Sequence, residues 1–257
     1  MNVLLTNDDG IHAQGLWALY NRFVDTHRVS VVAPDRERSA IGHAITLNQP
    51  LRAIRVSLND GYSGYAVNGT PADCIKLAIA EILPARPDVV VAGINPGANV
   101  GANLNYSGTV AAAKEAALGG AIGIAASIEG QNADYYDDAA LFIAHLCDTV
   151  HAKGLPFGTF LNVNIPNRPL KEIAGVRFSR QGVGLLAEYV EKRMDPRNRT
   201  YYWQGRDMQS FGDDPEIDGA ALAQNFISIT PVKCDMTDYH VLEDLRSWRL
   251  KKMNIVD

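Results

Sequence analysis

The fold is decided by residues 3–10, Val3-Leu4-Leu5-Thr6-Asn7-Asp8-Asp9-Gly10, where a short apolar run stops abruptly at polar residues. An apolar run of this length, ended by Asn, Asp and Gly, is typical of a buried parallel strand. Apolar residues at helical spacing follow over 16–23, and a second apolar run over 29–33 ends at Pro34. Strand, helix and strand within about thirty residues predict a βαβ unit in a parallel sheet.

The same alternation continues to about residue 165. It predicts further strands over 88–92, 121–127 and 160–165, and helices over 74–83, 110–118 and 135–153. Thr70 and Pro71 are suited to the N-cap and first position of the 74–83 helix. Residues 44–67 predict short extended pieces with a turn at Asn59-Asp60-Gly61. The chain is therefore predicted to be an α/β protein with a mostly parallel sheet.

The character of the sequence changes after residue 170. Helical periodicity is weak until 240–250, and residues 170–235 predict extended hairpin segments and loops that project from the core. Aromatic stretches at Glu188-Tyr189-Val190 and Tyr201-Tyr202-Trp203 suggest an oligomer contact. The alternative is that these stretches pack on their own domain.

Bulk composition limits the class of protein. Of 257 residues, 47% are hydrophobic and 21% charged, which provides enough apolar material for a core without a disulfide or structural metal. The net charge of −5 argues against a nucleic-acid polymer as partner, because such proteins usually carry a basic face. The three cysteines are far apart, which predicts free thiols in a reducing compartment. No signal peptide or transmembrane segment is predicted, so we expect a cytoplasmic protein that does not bind membranes.

Polar loops follow three of the predicted strands. Asp8-Asp9 follow the first strand, Asp35-Arg36-Glu37-Arg38-Ser39 the second, and Asn95 and Asn99 the strand over 88–92. Ligands of open parallel sheets bind at the carboxyl ends of the strands. The three loops are therefore expected to converge on one site.

The acidic pair Asp8-Asp9 is the main candidate for metal binding. Two adjacent carboxylates repel each other, and a divalent cation relieves that repulsion. Carboxylate, amide and hydroxyl oxygens are ligands that Mg²⁺ or Mn²⁺ prefers. The alternative is that one aspartate merely caps the next helix. Zinc is disfavoured because the histidines, including the loop residues His12 and His43, show no zinc-ligand spacing.

The segment Asn105-Tyr106-Ser107-Gly108-Thr109-Val110 precedes the helix over 110–118. Hydroxyls, a glycine and free helix N–H groups make an anion cradle, and an ordinary Ser or Thr N-cap fits the same residues equally well. The chain contains no GxxxxGK[ST], GxGxxG or GxSxG motif, which disfavours P-loop, dinucleotide-binding and serine-hydrolase functions.

Five motifs together resemble the SurE survival-protein family, in the expected order over residues 1 to about 125. They are Asn7-Asp8-Asp9-Gly10, Arg38-Ser39, Asn68-Gly69-Thr70-Pro71-Ala72-Asp73-Cys74, Gly93-Ile94-Asn95 and Tyr106-Ser107-Gly108-Thr109-Val110-Ala111-Ala112. One departure is that the loop before Ser107 contains no aspartate, whereas the family leads us to expect one near Asn103 or Asn105.

The resemblance implies a Rossmann-like three-layer core and a metal-dependent 5'- and 3'-nucleotidase, with possible action on short polyphosphate. It implies one Mg²⁺ or Mn²⁺ per subunit, held by Asp8, Asp9, Ser39 and Asn95. The catalytic residues would be Asp8, Asp9 and Asn95, and the phosphate contacts Ser107, Gly108 and Thr109.

The resemblance also bears on organisation and partners. Residues 1–257 would form one domain, with the active site in 1–170 and a C-terminal extension over 171–257 that partly returns to the core. The substrates would be nucleoside monophosphates, and the protein a homodimer or homotetramer that exchanges C-terminal segments.

Two other functions remain open at this point. A receiver-like signalling domain also binds magnesium beside an acidic pair, but this chain is twice as long and Lys114 is predicted mid-helix rather than after a late strand. A haloacid-dehalogenase-type phosphatase needs a DxD nucleophile arrangement, whereas here the aspartates are adjacent and Gly10 follows.

Overall fold

A computed structural model describes residues 1–57, 63–183, 190–204, 212 and 214–248. Among these residues the main sheet has nine strands. In spatial order they are β3 (Ala53–Ser57), β4 (Ser63–Val67), β2 (Arg28–Pro34), β1 (Asn2–Thr6), β5 (Val89–Pro96), β6 (Ile122–Ile128), β7 (Thr159–Ile165), β11 (Phe226–Lys233) and β8 (Gly175–Phe178). The turn predicted at 59–61 lies outside the described residues.

Six consecutive strands of the sheet, from β4 to β7, run parallel. β3 is antiparallel to β4 at one edge, and β11 is antiparallel to β7 near the other. β8 closes that second edge, parallel to β11. The prediction of an α/β fold with a mostly parallel sheet is confirmed.

Helices cover both faces of the sheet and make three layers. Helices α1 (Gln14–Phe23) and α4 (Tyr136–Lys153) lie on one face, and α2 (Pro71–Leu77) and α3 (Gly108–Leu118) lie on the other. Successive residues of a strand point to opposite faces, so Leu5 packs in the first core cluster and Leu4 in the second. This double burial explains why β1 and β5 are continuously apolar.

Two helices differ in part from the prediction. α3 begins at Gly108 instead of residue 110, because Ser107 caps it, and apolar periodicity does not report cap geometry. α2 begins at Pro71 with Thr70 as its N-cap, which confirms the predicted cap and first position. Its continuation differs, because Ala78–Ile82 is a π-helical segment instead of a regular helix to residue 83.

The C-terminal third is only partly a projecting region. β9 (Val190–Met194) and β10 (Thr200–Gln204) form a separate antiparallel pair whose side chains are mostly exposed. The expectation that 170–235 consists of projecting hairpins and loops is wrong for the rest, because β8 and β11 join the main sheet and α5 (Asp218–Ala223) is buried. Helix α6 spans Tyr239–Arg246, and residues 188–189 and 249–250 lie outside the described residues.

The cysteines are free thiols. Cys74 and Cys147 are buried and Cys234 is half-buried. Burial raises the pKa of each of these thiols, which makes them poor nucleophiles. Within the described ranges, no helix is both long and apolar enough to cross a membrane.

Candidate functional site

The acidic pair lies in a tight turn directly after β1. The Asn7 side chain holds this turn, since its amide donates to the Gly10 carbonyl over 2.9 Å and its oxygen accepts from the Gly10 N–H over 3.1 Å. Asn7 is fully buried, Asp8 is 5% exposed and Asp9 is half-buried. The turn therefore holds two carboxylates below the surface at the carboxyl edge of the sheet.

Helix α3 packs its first turn against Asp8. The Thr109 hydroxyl donates to Asp8 Oδ1, and both side chains are buried. A Cβ on Gly108 would lie 2.8 Å from Asp8 Cβ and 2.9 Å from Asp8 Oδ2. Only glycine permits this approach, so Gly108 brings the N-terminus of α3 onto the acidic pair.

The loop after β2 is tied to the same turn. The Arg38 N–H donates to the Asp8 carbonyl over 2.7 Å, which places Ser39 next to the acidic turn along the chain. Ser39 is exposed, and its hydroxyl donates to Glu37 Oε1 over 2.6 Å. Ser39 is thus held near the acidic pair, and its hydroxyl proton is donated to Glu37.

Asn95 lies near the end of β5, beyond the part of this strand that pairs with β1. Thr6 pairs with Ala92 at the end of β1, whereas Asn95 remains in the sheet opposite Ser127 of β6, after an irregularity in register between Ala92 and Asn95. The Asn95 amide nitrogen donates to the Gly97 carbonyl over 2.6 Å. This bond leaves the side-chain oxygen Oδ1 as the group that Asn95 offers to a ligand.

A buried amide network, which the sequence reasoning missed, anchors the loop after β5. Asn164 Oδ1 accepts from the Asn99 N–H over 2.8 Å, and the Asn164 and Asn162 amides donate to the Asn99 carbonyl over 2.9 and 2.8 Å. The Asn99 amide donates to Ser127 over 2.8 Å. Asn162 and Asn164 lie two residues apart in the otherwise apolar and buried strand β7. Two asparagines within such a strand are the sequence feature that could have predicted a buried hydrogen-bond network.

Electrostatics make the pair a candidate cation site. Burial raises the pKa of Asp8, although the Thr109 hydrogen bond opposes the shift. Burial, together with the charges of Asp8 and Glu37, raises the pKa of Asp9 to about 7. Asp9 Oδ2 is buried and, within the described part of the chain, has no hydrogen-bond partner. An orphaned carboxylate oxygen beside a second carboxylate fits a hard divalent cation.

The donor set decides what kind of ion fits. The described residues contain no cluster of three or more His, Cys, Asp or Glu side chains able to hold a metal. A site here would need neutral oxygens to complete its coordination, and Ser39 and Asn95 are the predicted residues that could supply them. Oxygen donors of this kind match Mg²⁺ or Mn²⁺ and not zinc.

The N-terminus of α3 provides the anion-binding groups. Ser107 Oγ accepts from the Val110 N–H over 3.2 Å, and the Ser107 carbonyl accepts from the Ala111 N–H over 3.1 Å. The Gly108 and Thr109 N–H groups are in the first turn, where a helix has no internal acceptors for them. The Gly108 N–H and the Ser107 hydroxyl are available as donors for an anion, whereas the Thr109 N–H, like the Thr109 hydroxyl, faces the Asp8 carboxylate.

A second polar cluster lies two turns further along α3. His43 Nε2 is 2.8 Å from Glu115 Oε2, and Lys76 Nζ donates to Glu115 Oε1 over 3.2 Å. His43 and then Lys76 lower the pKa of Glu115 against the effect of its partial burial. His43 is therefore held by a carboxylate, whereas the sequence identified it only as a loop histidine near the site.

Comparisons with known proteins find one family along most of the chain. The family model described as survival protein SurE matches residues 3–188. The chain is 56% identical to the 5'-nucleotidase SurE of Desulfatibacillum aliphaticivorans, covering 98% of this chain and 100% of that one. It is 46% identical to the 5'-nucleotidase SurE of Syntrophobacter fumaroxidans, covering 97% and 100%. The crystal structure of the SurE protein from Aquifex aeolicus superimposes with a TM-score of 0.84 at 35% identity, covering 96% and 98%.

Proposed function

Because this chain belongs to the SurE survival-protein family, we propose that it is a phosphoric monoester hydrolase acting on nucleotides. Its substrates would be nucleoside 5'- and 3'-monophosphates, with short polyphosphate as a further substrate. The observation that carries the proposal is the contact of Asp8 with Gly108 and Thr109, which sets a buried acidic pair against the anion-binding end of α3. A phosphate at that helix end would lie beside the carboxylates.

We further propose that the hydrolase depends on one divalent cation per subunit, Mg²⁺ or Mn²⁺. Asp8, Asp9, Ser39 and Asn95 would hold it, with Asp9 Oδ2 and Asn95 Oδ1 as oxygens that the protein leaves available. When bound, such an ion neutralises charge on the phosphoryl group and makes water a better nucleophile.

The protein's own groups would perform the remaining steps. Ser107, Gly108 and Thr109 would bind and orient the phosphate. A water oxygen would bond to phosphorus as the ester P–O bond breaks. The proton that this water loses would pass to a carboxylate and from there to the oxygen of the leaving nucleoside, while the remaining O–H stays on the phosphate. Asp9 is the better placed of the two carboxylates to accept the water proton, because Asp8 Oδ1 already accepts from Thr109.

Organisation and partners are part of the same proposal. We propose one domain over 1–257, with the active site in 1–170 and an extension over 171–257 that partly returns to the core. The rest of this extension would serve homodimer or homotetramer assembly by exchange of C-terminal segments, in the cytoplasm. The exposed side chains of Tyr201, Tyr202 and Trp203 on β10 support an oligomer contact.

A screen of phosphate release tests the proposed activity. Purified protein is given each nucleoside 5'- and 3'-monophosphate with Mg²⁺, with Mn²⁺ and with a chelator, and short polyphosphate is included. Metal-dependent phosphate release from nucleotides is expected. Absence of release from every nucleotide with both metals would contradict the proposal.

A further inference from the structure

A cavity of about 640 Å³ opens beside the anion-binding end of α3. It lies between α3, β11 and the loop that carries His43, and Ser107 is part of its wall. Ser107 directly precedes Gly108, which packs against Asp8, so a wall residue of the cavity is the chain neighbour of a residue that contacts the acidic pair. Its volume is in the range of small-molecule binding sites, about 300–1,000 Å³.

One face of α3 forms a wall of this cavity. Ser107, Val110, Ala111 and Lys114 line it, and their spacing of three, four and seven residues places them on one side of the helix. A helix rises about 1.5 Å per residue, so this wall runs about 10 Å from Ser107 to Lys114. A ligand whose phosphate is at the helix N-terminus would extend along this wall towards Lys114.

The walls combine apolar surface with a few polar groups. Leu104 and Val232 contribute apolar surface, and Gln181 and Thr230 contribute polar atoms. His43 also lines the cavity, and Glu115 fixes its ring by accepting from Nε2–H. Lys76 holds Glu115 from the other side, so the imidazole is pre-oriented. A mixed surface with a few fixed polar groups is typical of a site for a heterocycle and a sugar.

From this geometry we propose that the cavity binds the nucleoside part of the substrate, with Lys114 and the Glu115-fixed His43 as the residues that hold it. This assignment rests on the proposed nucleotidase function and deepens it.

A second cavity, of about 400 Å³, is lined by Arg86, His151 and Phe157. Its lining includes Asp88 and Ile122 at the amino ends of β5 and β6, so it lies at the edge of the sheet opposite the acidic pair.

The test compares two substrates of the metal-loaded enzyme, a nucleoside 5'-monophosphate and glycerol 3-phosphate, which has neither base nor ribose. The variants are His43→Ala and Lys114→Ala, with Lys153→Ala at the exposed end of α4 as the matched control. The ratio of kcat/KM for the nucleotide to kcat/KM for glycerol 3-phosphate is measured for each. We expect the ratio to fall about tenfold in both variants, since each loses about one hydrogen bond to the nucleoside. The fall should come mainly from a higher KM for the nucleotide, and Lys153→Ala should match wild type.

The other outcomes would overturn either the cavity assignment or the nucleotidase proposal, and they distinguish the two. An unchanged ratio and unchanged nucleotide KM in both variants, with nucleotides hydrolysed normally, would overturn the cavity assignment and leave the nucleotidase proposal standing. Equal losses on both substrates would also overturn it, because the residues would then act through the fold. A wild-type enzyme that hydrolyses glycerol 3-phosphate but no nucleotide would contradict the proposed function itself.

Discussion

The Thr109 hydroxyl donates a hydrogen bond to Asp8 Oδ1, joining the first turn of α3 to the acidic turn after β1 across 101 positions of sequence. Outer hydrogen bonds of this kind orient metal-binding carboxylates, and their loss typically costs about 10–100-fold in metal affinity or activity. Thr109→Val keeps the shape and removes the hydroxyl, so we expect a loss of activity in that range. Steady-state kinetics and Mn²⁺ titration measure it.

Thr109→Ser is the control for this substitution, because it restores the donor. We expect it to recover most of the activity. A Thr109→Val enzyme with wild-type metal affinity and kcat/KM would show that the bond to Asp8 has no functional role.

A substitution at Gly108 tests the close packing of α3 on the acidic pair. In Gly108→Ala the new methyl group would lie 2.8 Å from Asp8 Cβ, so either the helix or the carboxylate must move. We expect kcat/KM for nucleotides to fall at least about tenfold, because displacements of about 1 Å in an active site are this costly. Gly119→Ala, at the other end of α3, meets the mobile end of Ile79 at 3.0 Å and should stay near wild type. Equal activities of the two variants would refute this packing argument.

The network around Asn99 predicts a stability effect. Asn164 makes two hydrogen bonds to the Asn99 backbone inside the core. Asn164→Ala removes the acceptor of the Asn99 N–H and leaves the Asn99 carbonyl with the Asn162 amide alone. We expect the free energy of unfolding to fall by about 1–3 kcal/mol. Urea unfolding measures it, with the exposed Asn105→Ala as control. A change below about 0.5 kcal/mol for Asn164→Ala would contradict the anchoring role.

The place of the candidate site in the fold could be predicted from the sequence, because strand-end residues in a parallel sheet share one edge. That rule alone grouped Asp8, Asn95 and the loop with Ser39. It did not reveal that Thr109 contacts Asp8, because a local motif does not show which side chain a helix N-terminus faces. It also missed Asn164, whose partner loop lies 65 positions away.

The C-terminal part was harder to predict for a related reason. β11 enters the sheet between β7 and β8, and pairing across such long separations leaves little trace in local periodicity. Short elements such as α5, with six residues, are also too brief for a helical repeat to be visible.

Asp73 predicts a pH dependence of stability. Burial alone would raise the pKa of Asp73, but hydrogen bonds from Thr46 and Thr70 outweigh it and lower the pKa below its usual value. A carboxyl with a depressed folded-state pKa stabilises the fold above its unfolded pKa, near 3.9. That contribution is lost as the pH falls through the folded pKa.

The variant Asp73→Asn should therefore unfold at a lower temperature than wild type at pH 7, by an amount equivalent to about 1–2 kcal/mol. The difference should shrink as the pH falls below the unfolded pKa. Thermal unfolding at several pH values measures it, with the exposed Asp134→Asn as control. A difference that does not change between neutral and acid pH would contradict the role given to the ionised carboxylate.

Asp8 and Asp9 are proposed to hold a divalent ion on which phosphate release depends. The most direct test measures phosphate release from nucleoside monophosphates by wild type and Asp8→Asn, each with Mg²⁺ or Mn²⁺ and with excess EDTA. We predict that wild type loses activity in EDTA and regains it with metal, and that Asp8→Asn loses at least about a hundredfold in kcat with metal present. Full activity of Asp8→Asn in excess EDTA would contradict the account.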